Sequence, residues 1–126
     1  MNRLLVVDDE ANIRILYAEE LKDEGYEVVT AGSIGEAVEK LQNTTFDLAV
    51  LDIKLKNESG IELLQQLVKE RHDMPVVLCS AFSCYKDDFS AWLADGYVVK
   101  SGDLTELKNE IAKVLAKKAQ KAKVGL

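Results

Sequence analysis

The sequence predicts an α/β domain: a doubly wound, five-stranded parallel sheet laid down as (βα)5. Two observations carry that expectation. Five short apolar runs recur along the 126 residues, at Leu4–Val7, Val28–Ala31, Leu48–Leu51, Val76–Cys79 and Tyr97–Val99. The segments between them carry apolar residues at helical spacing instead. Runs rich in Val and Leu without polar alternation suit strands covered on both faces. Short, right-handed connections turn such a chain into an open parallel sheet with helices on both sides.

Each element has its own warrant. After the first run, Ile13, Leu16, Tyr17 and Leu21 share a helical face, and Gly25 stands where a helix C-terminus favours glycine. After the second run, Ile34, Ala37, Val38 and Leu41 form the next face. Ile61, Leu64 and Val68 follow the third run, and Leu104, Leu107, Ile111, Val114 and Leu115 follow the fifth. Ser33-Ile34-Gly35-Glu36, Ser59-Gly60-Ile61-Glu62 and Asp103-Leu104-Thr105-Glu106 read as capping boxes that start three of these helices. After the fourth run, Tyr85, Phe89, Trp92 and Leu93 keep helical spacing, so a short or irregular helix is expected around 87–94.

Composition bounds the function. Length fits one domain, expected over residues 1–120, with a short Lys-containing tail over 121–126. Apolar residues make up 48% and charged ones 30%, an ordinary balance for a water-soluble fold. No stretch approaches the ~18 apolar residues of a membrane span, and no signal peptide is legible. Cys79 and Cys84 are too few for a disulfide scaffold, and His72 is the sole histidine, so a cytoplasmic, reduced protein is expected. Residues 117–126 hold four lysines and no acid, which leaves 12 basic against 22 acidic residues in the body. That acidic body argues against direct nucleic-acid binding. The lysines read as a solvated helix end.

In a doubly wound sheet, ligands bind outside the carboxyl ends of the strands. The runs end in Asp8-Asp9, Asp52, Ser80 and Lys100; the second ends in Ala31-Gly32, with nothing chemical. Three carboxylates, a hydroxyl and an ammonium should therefore converge on one edge. Crowded carboxylates repel, and burying them unpaired is costly. A hard divalent cation such as Mg²⁺, which takes oxygen ligands, would stabilise them, and Lys100 would offset the charge further. Taken singly, an acid such as Asp9 could merely cap a helix. The set, each member at the end of its own strand, is far more specific.

These residues carry a resemblance. "VVDDE" at 6–10, "LDIKLKNESG" at 51–60 with Gly60 eight residues after Asp52, "CSA" at 79–81 and "GYVVK" at 96–100 together resemble the receiver domain of two-component response regulators, in order and over essentially the whole chain. The resemblance implies the flavodoxin-like receiver fold. It implies a regulatory domain rather than an enzyme, one that assists its own Mg²⁺-dependent phosphorylation and dephosphorylation. Asp52 matches the phosphoacceptor, Asp9 the direct metal ligand and Asp8 the acid acting through water. The Lys54 backbone carbonyl matches the third protein ligand. Ser80 matches the switch hydroxyl, Lys100 the phosphate-binding lysine and Tyr97 the aromatic switch. Lys54 and Phe82, two residues past Asp52 and Ser80, match positions that tune phosphoryl lifetime. The implied partners are a sensor histidine kinase or histidine phosphotransfer protein and an output protein or domain, with no membrane.

The chain also departs from the family. Lys56 stands where proline is usual, as does Ser101 after Lys100, and the segment from Ser80 to Lys100 is about two residues short of the family's usual spacing. A non-proline cis bond costs about 3 kcal/mol, so a trans or strained bond is expected before Ser101. Alternative classes fare worse. A haloacid-dehalogenase-type phosphatase would need a second aspartate two residues after Asp52, where Lys54 stands. A dinucleotide-binding domain would need a glycine-rich turn after the first run, and "DDEAN" has none. The remaining alternative is a pseudo-receiver, an interaction module with the fold but without the switch.

Overall fold

A computed structural model describes residues 2–55, 58–70, 73–80, 94–100 and 103–123. Its strands are β1 (Arg3–Val7), β2 (Glu27–Ala31), β3 (Leu48–Asp52), β4 (Lys54–Leu55), β5 (Glu58–Ser59), β6 (Val76–Ser80) and β7 (Gly96–Val99). Its helices are α1 (Ala11–Asp23), α2 (Ile34–Asn43), α3 (Gly60–Glu70) and α4 (Thr105–Lys123). Lys56, Phe82, Ser101 and nearly all of the segment expected to carry a helix around 87–94 lie outside the described residues.

Five parallel strands form the main sheet in the order β2-β1-β3-β6-β7, the doubly wound arrangement expected. The chain runs outward from β1 to β2, then returns past β1 to β3. The reversal places the topological switch between the carboxyl ends of β1 and β3, beside Asp8 and Asp52.

Alternation along the strands divides the core. Leu5, Val7, Ala49, Leu51, Val76 and Leu78 pack on one face with α2 and α3. Leu4, Val6, Leu48, Val50, Val77, Cys79 and Val98 pack on the other with α1 and α4. Both faces are covered, so β1, β3 and β6 are buried along nearly their whole length. Each fully buried Val or Leu there contributes about 1.5–3 kcal/mol by leaving water.

The helices refine the sequence expectation. On α1, Tyr17 and Leu21 are buried and Ile13 is half-buried, but Leu16 is 40% exposed and Ile15 57%. The seam follows i, i+4 steps through 13, 17 and 21, and Leu16 falls off it. On α3 the buried stripe runs through Leu63, Leu64 and Leu67, while Ile61 and Val68 flank it. The α4 stripe lies at Leu107, Ile111 and Val114, with Leu104 buried just before it, and the helix continues to Lys123.

The caps differ in detail. Ser33 Oγ accepts from Glu36 N at 3.1 Å, while the Glu36 carboxylate reaches back to Gly32 N at 3.3 Å. Ser59 Oγ accepts from Ile61 N, and Asp103 Oδ1 from Thr105 N, two residues on in each case rather than three. Gly25 ends α1 at φ +94°, the left-handed region that glycine enters without strain.

Candidate functional site at the carboxyl edge of the sheet

The end of β3 and the β1–α1 and β7–α4 connections bring three charged side chains together. Lys100 Nζ lies 2.7 Å from Asp8 Oδ2 and 3.0 Å from Asp52 Oδ2. Asp8 is 2% exposed and Asp52 6%; the Lys100 side chain is 16% exposed. Strand alternation explains the meeting. Asp8, Asp52 and Lys100 are in phase with Val6, Val50 and Val98, all on the α1 and α4 face. Lys100 N also donates to the Ser80 carbonyl at 2.6 Å, which extends the β6–β7 ladder by one step and fixes the base of the lysine.

The remaining carboxylate oxygens are held by backbone. Asp8 Oδ1 accepts from Glu10 N at 2.9 Å, and Asp52 Oδ1 from Lys54 N at 3.2 Å. Charge-assisted bonds of this kind are stronger than neutral ones and orient the carboxylate plane. Burial raises the Asp52 carboxyl above the ordinary aspartate value; Lys100 pulls it down and Asp8 pushes it up again. For Lys100, burial works to lower the ammonium, but its bonds and charge contacts with Asp8 and Asp52 outweigh it, and the net shift is upward.

Gly60 explains its own spacing from Asp52. Its N–H donates to the Ile53 carbonyl at 2.7 Å, and a Cβ there would collide with the Asp52 carbonyl oxygen. Only glycine lets α3 start against the Asp52–Ile53 backbone. The two-residue ribbon β4–β5 is antiparallel, pairing Lys54 with Ser59. Glu58 on the ribbon reaches the start of α2, accepting from Ile34 N at 3.2 Å.

Ser80 and Tyr97 lie on the opposite face, in phase with Leu78. Ser80 is buried and Tyr97 half-buried against the α2 and α3 core. In the β6–β7 register, Tyr97 pairs with Leu78 and Val99 with Ser80, so the two side chains are diagonal neighbours on one face. Beneath the charged cluster, the Tyr17 hydroxyl and the Cys79 thiol are 3.6 Å apart and buried. Cys79 is 1% exposed in the core, and burial pushes its thiol up to about 11, as suits a small apolar residue.

The donor set suits a hard cation. Carboxylate oxygens of Asp8, Asp9 and Glu10 lie within 4.8 Å of one another, and all are oxygen ligands of the kind Mg²⁺ prefers. Glu10, the residue just before α1, makes no side-chain cap, and among the described residues the Asp9 side chain makes no hydrogen bond. Asp9 is thus not spent on capping the helix. Glu10 stands in the "VVDDE" stretch but is given no role by the sequence, because an exposed acid after "DD" has no distinguishing pattern. Arg14, whose Nη1 donates to the Asp8 carbonyl at 2.7 Å, is given none either, because it lies a turn into a helix.

Comparison with known proteins identifies the family and the fold. The family model described as the response regulator receiver domain matches residues 4–112. The response regulator ArlR of Staphylococcus saprophyticus is 32% identical over 123 residues, covering 96% of this chain and 56% of that protein. The chain thus spans about half the length of that curated relative, and 26% of the alginate regulator AlgB of Pseudomonas putida. The response regulator TrrA of Thermotoga maritima, solved in complex with Mg(2+)-BeF, is 46% identical with TM-score 0.87, covering 90% of this chain and 99% of that one. TrrA in complex with the histidine kinase ThkA gives 46% identity and TM-score 0.85, covering 91% of this chain and 99% of that one. With its doubly wound sheet, its paired acids at the switch point and a family match over residues 4–112, the chain belongs to the response regulator receiver domain family.

Proposed function

We propose that this domain accepts a phosphoryl group on Asp52 from a histidine kinase or histidine phosphotransfer protein, with Mg²⁺, and thereby switches its binding to an output partner. The observation that carries the reading is Lys100 bridging Asp8 and Asp52 in a buried site. Asp52 is the nucleophile: one of its carboxylate oxygens forms the bond to phosphorus as the donor's bond to phosphorus breaks, leaving an acyl phosphate. Burial makes that carboxylate more basic than usual, which favours attack, while the Lys54 N–H fixes its plane. Lys100 is already in the site and stabilises the negative charge on the transferring oxygens. Asp8, Asp9, Asp52 and the Lys54 carbonyl would hold Mg²⁺, which supplies further neutralisation of that charge when bound. Positioning and electrostatics are most of what phosphoryl transfer demands.

The switch follows from the other face. Ser80 donates its hydroxyl to the phosphoryl group, and Tyr97, its diagonal neighbour, changes its burial as Ser80 moves. For the kinase, α1 offers exposed Ile15 and Leu16 directly after the acidic loop. An apolar patch beside the chemistry suits a helical partner that must bring its histidine to Asp52, and the ThkA–TrrA complex shows that a relative at 46% identity binds a kinase.

The test is incubation with acetyl phosphate and Mg²⁺, followed by intact mass. Addition of one phosphoryl group to the wild type and none to a folded Asp52→Asn variant is the expected result. Undiminished labelling of the variant places the chemistry elsewhere. An unlabelled wild type with Mg²⁺ present sinks the phosphoacceptor reading.

A further inference from the structure

Arg14 makes a contact that the phosphoacceptor reading leaves unused. Its Nη1 donates to the backbone carbonyl of Asp8 at 2.7 Å. The same guanidinium covers Gly32, just after β2: a Cβ on Gly32 would lie 2.9 Å from Nη1 and 3.3 Å from Cζ. Asp8 is therefore gripped from every side. Its N–H donates to the Ala31 carbonyl at 3.1 Å, its Oδ1 accepts from Glu10 N at 2.9 Å and its Oδ2 from Lys100 Nζ at 2.7 Å. Arg14 supplies the remaining hold, on the carbonyl.

That carbonyl matters because it is one end of a rigid peptide plane whose other end is the nitrogen of Asp9. Fixing it fixes how Asp9 leaves the sheet, and so the separation of two neighbouring carboxylates. We propose that Arg14 is a positioning residue: it locks the Asp8–Asp9 peptide against Gly32 and thereby sets the affinity of the acidic loop for Mg²⁺. The inference rests on the phosphoacceptor reading of the site.

Two effects of removing Arg14 oppose each other. Deleting a cation beside an acidic cluster strengthens cation binding. Freeing the Asp8–Asp9 peptide weakens it. The guanidinium is partly exposed and its field is screened, whereas partners that orient metal ligands from behind typically matter by about 10–100-fold. Positioning wins, and the sign of the change separates the two accounts. Gly32→Ala isolates positioning still further, because it keeps the charge. Its methyl would press on the far end of a flexible side chain, so the guanidinium moves off the Asp8 carbonyl while the backbone stays; Gly32 has no positive φ to strain.

The experiment titrates Mg²⁺ alone into the full chain, following amide chemical shifts, for wild type, Arg14→Met, Gly32→Ala and the double variant. Urea unfolding in chelator checks that each is folded. Arg14→Met and Gly32→Ala should each bind Mg²⁺ about tenfold more weakly. The double variant should be no weaker than Arg14→Met, since both changes remove one contact. Labelling by acetyl phosphate should slow at low Mg²⁺ and recover at saturating Mg²⁺. Unchanged or tighter binding in Arg14→Met, or additive losses in the double variant, overturns the proposal. A wild type that binds no Mg²⁺ overturns the underlying reading instead.

Discussion

Replacing Lys100 by Met removes the cation and keeps most of the side-chain volume. Two carboxylates, 2% and 6% exposed, then face each other without an ammonium between them. At an effective dielectric near 20, each lysine–carboxylate contact at about 3 Å is worth about 5 kcal/mol before desolvation. The net loss is smaller: breaking a buried pair by deleting one partner costs about 3–5 kcal/mol. Here each carboxylate keeps one backbone donor, Glu10 N or Lys54 N, and Lys100 is 16% exposed, which favours the low end. A loss of about 3 kcal/mol lowers the melting temperature of a domain this size by about 10 °C. The assay is thermal and urea unfolding in chelator at neutral pH. Adding Asp52→Asn to the variant should recover part of the loss, because it removes one of the stranded charges. The pH dependence has a definite sign. In the wild type, the raised Lys100 value means that its contribution is full below the ordinary lysine range and fades only as pH rises through the folded value. In the variant, nothing from Lys100 restrains Asp52, and burial and Asp8 both raise its carboxyl. A carboxyl raised on folding costs stability as pH rises through the acidic range, so the variant's deficit shrinks as pH falls. A Lys100→Met protein within about 1 kcal/mol of wild type at neutral pH, or one whose deficit grows on acidification, would refute the electrostatic account.

Two further outcomes are expected. Gly60→Ala should destabilise by about 3 kcal/mol, the upper part of the overpacking range, because its methyl meets backbone rather than a movable side chain; it should also slow labelling of Asp52, and a wild-type melting curve with wild-type labelling would contradict this. Lys54→Asn should hasten loss of the phosphoryl group, since an exposed stem that can lie over Asp52 hinders the in-line water, whereas the Lys54 N–H to Asp52 is backbone and survives the change. Phe82→Glu, alone and combined, extends the series; decay equal to or slower than wild type removes the shielding idea.

Much of this was legible in the sequence, for physical reasons. Strands buried on both faces must be apolar throughout, so five apolar runs give five strands. Acids at strand ends stand out because the residues before them are uniformly apolar. What stayed hidden is what depends on tertiary contact. Leu16 looks like a core residue by spacing, yet the sheet meets α1 along 13, 17 and 21. Glu58 on β5 reaching Ile34 N at the start of α2, and Arg14 on α1 lying over Gly32, join segments 24 and 18 residues apart, and such pairs leave no local periodicity to read. Gly32 read as a bare strand end because its use is to leave room.

The charge balance of the site connects stability to signalling. Asp8 and Asp52 are buried with one ammonium between them, and Asp9 and Glu10 add negative charge at the rim. The resting site is therefore short of positive charge, which suits a divalent cation and disfavours a further anion. A phosphoryl group is such an anion, so the unaided site opposes its own modification. The opposition is lifted only by groups that add positive charge or move it, and Lys100 is the one described side-chain cation that touches both carboxylates. Under the proposed chemistry, conversion of Asp52 to an acyl phosphate would remove the carboxylate charge that holds Lys100 and would leave the ammonium free to turn to the phosphoryl oxygens. Lys100 is rooted through its N–H on the Ser80 carbonyl, in the ladder that also sets Tyr97 beside Leu78. Under the proposed function, a change in what the ammonium holds would reach the β6–β7 pair through that bond, on the face where Ser80 and Tyr97 sit.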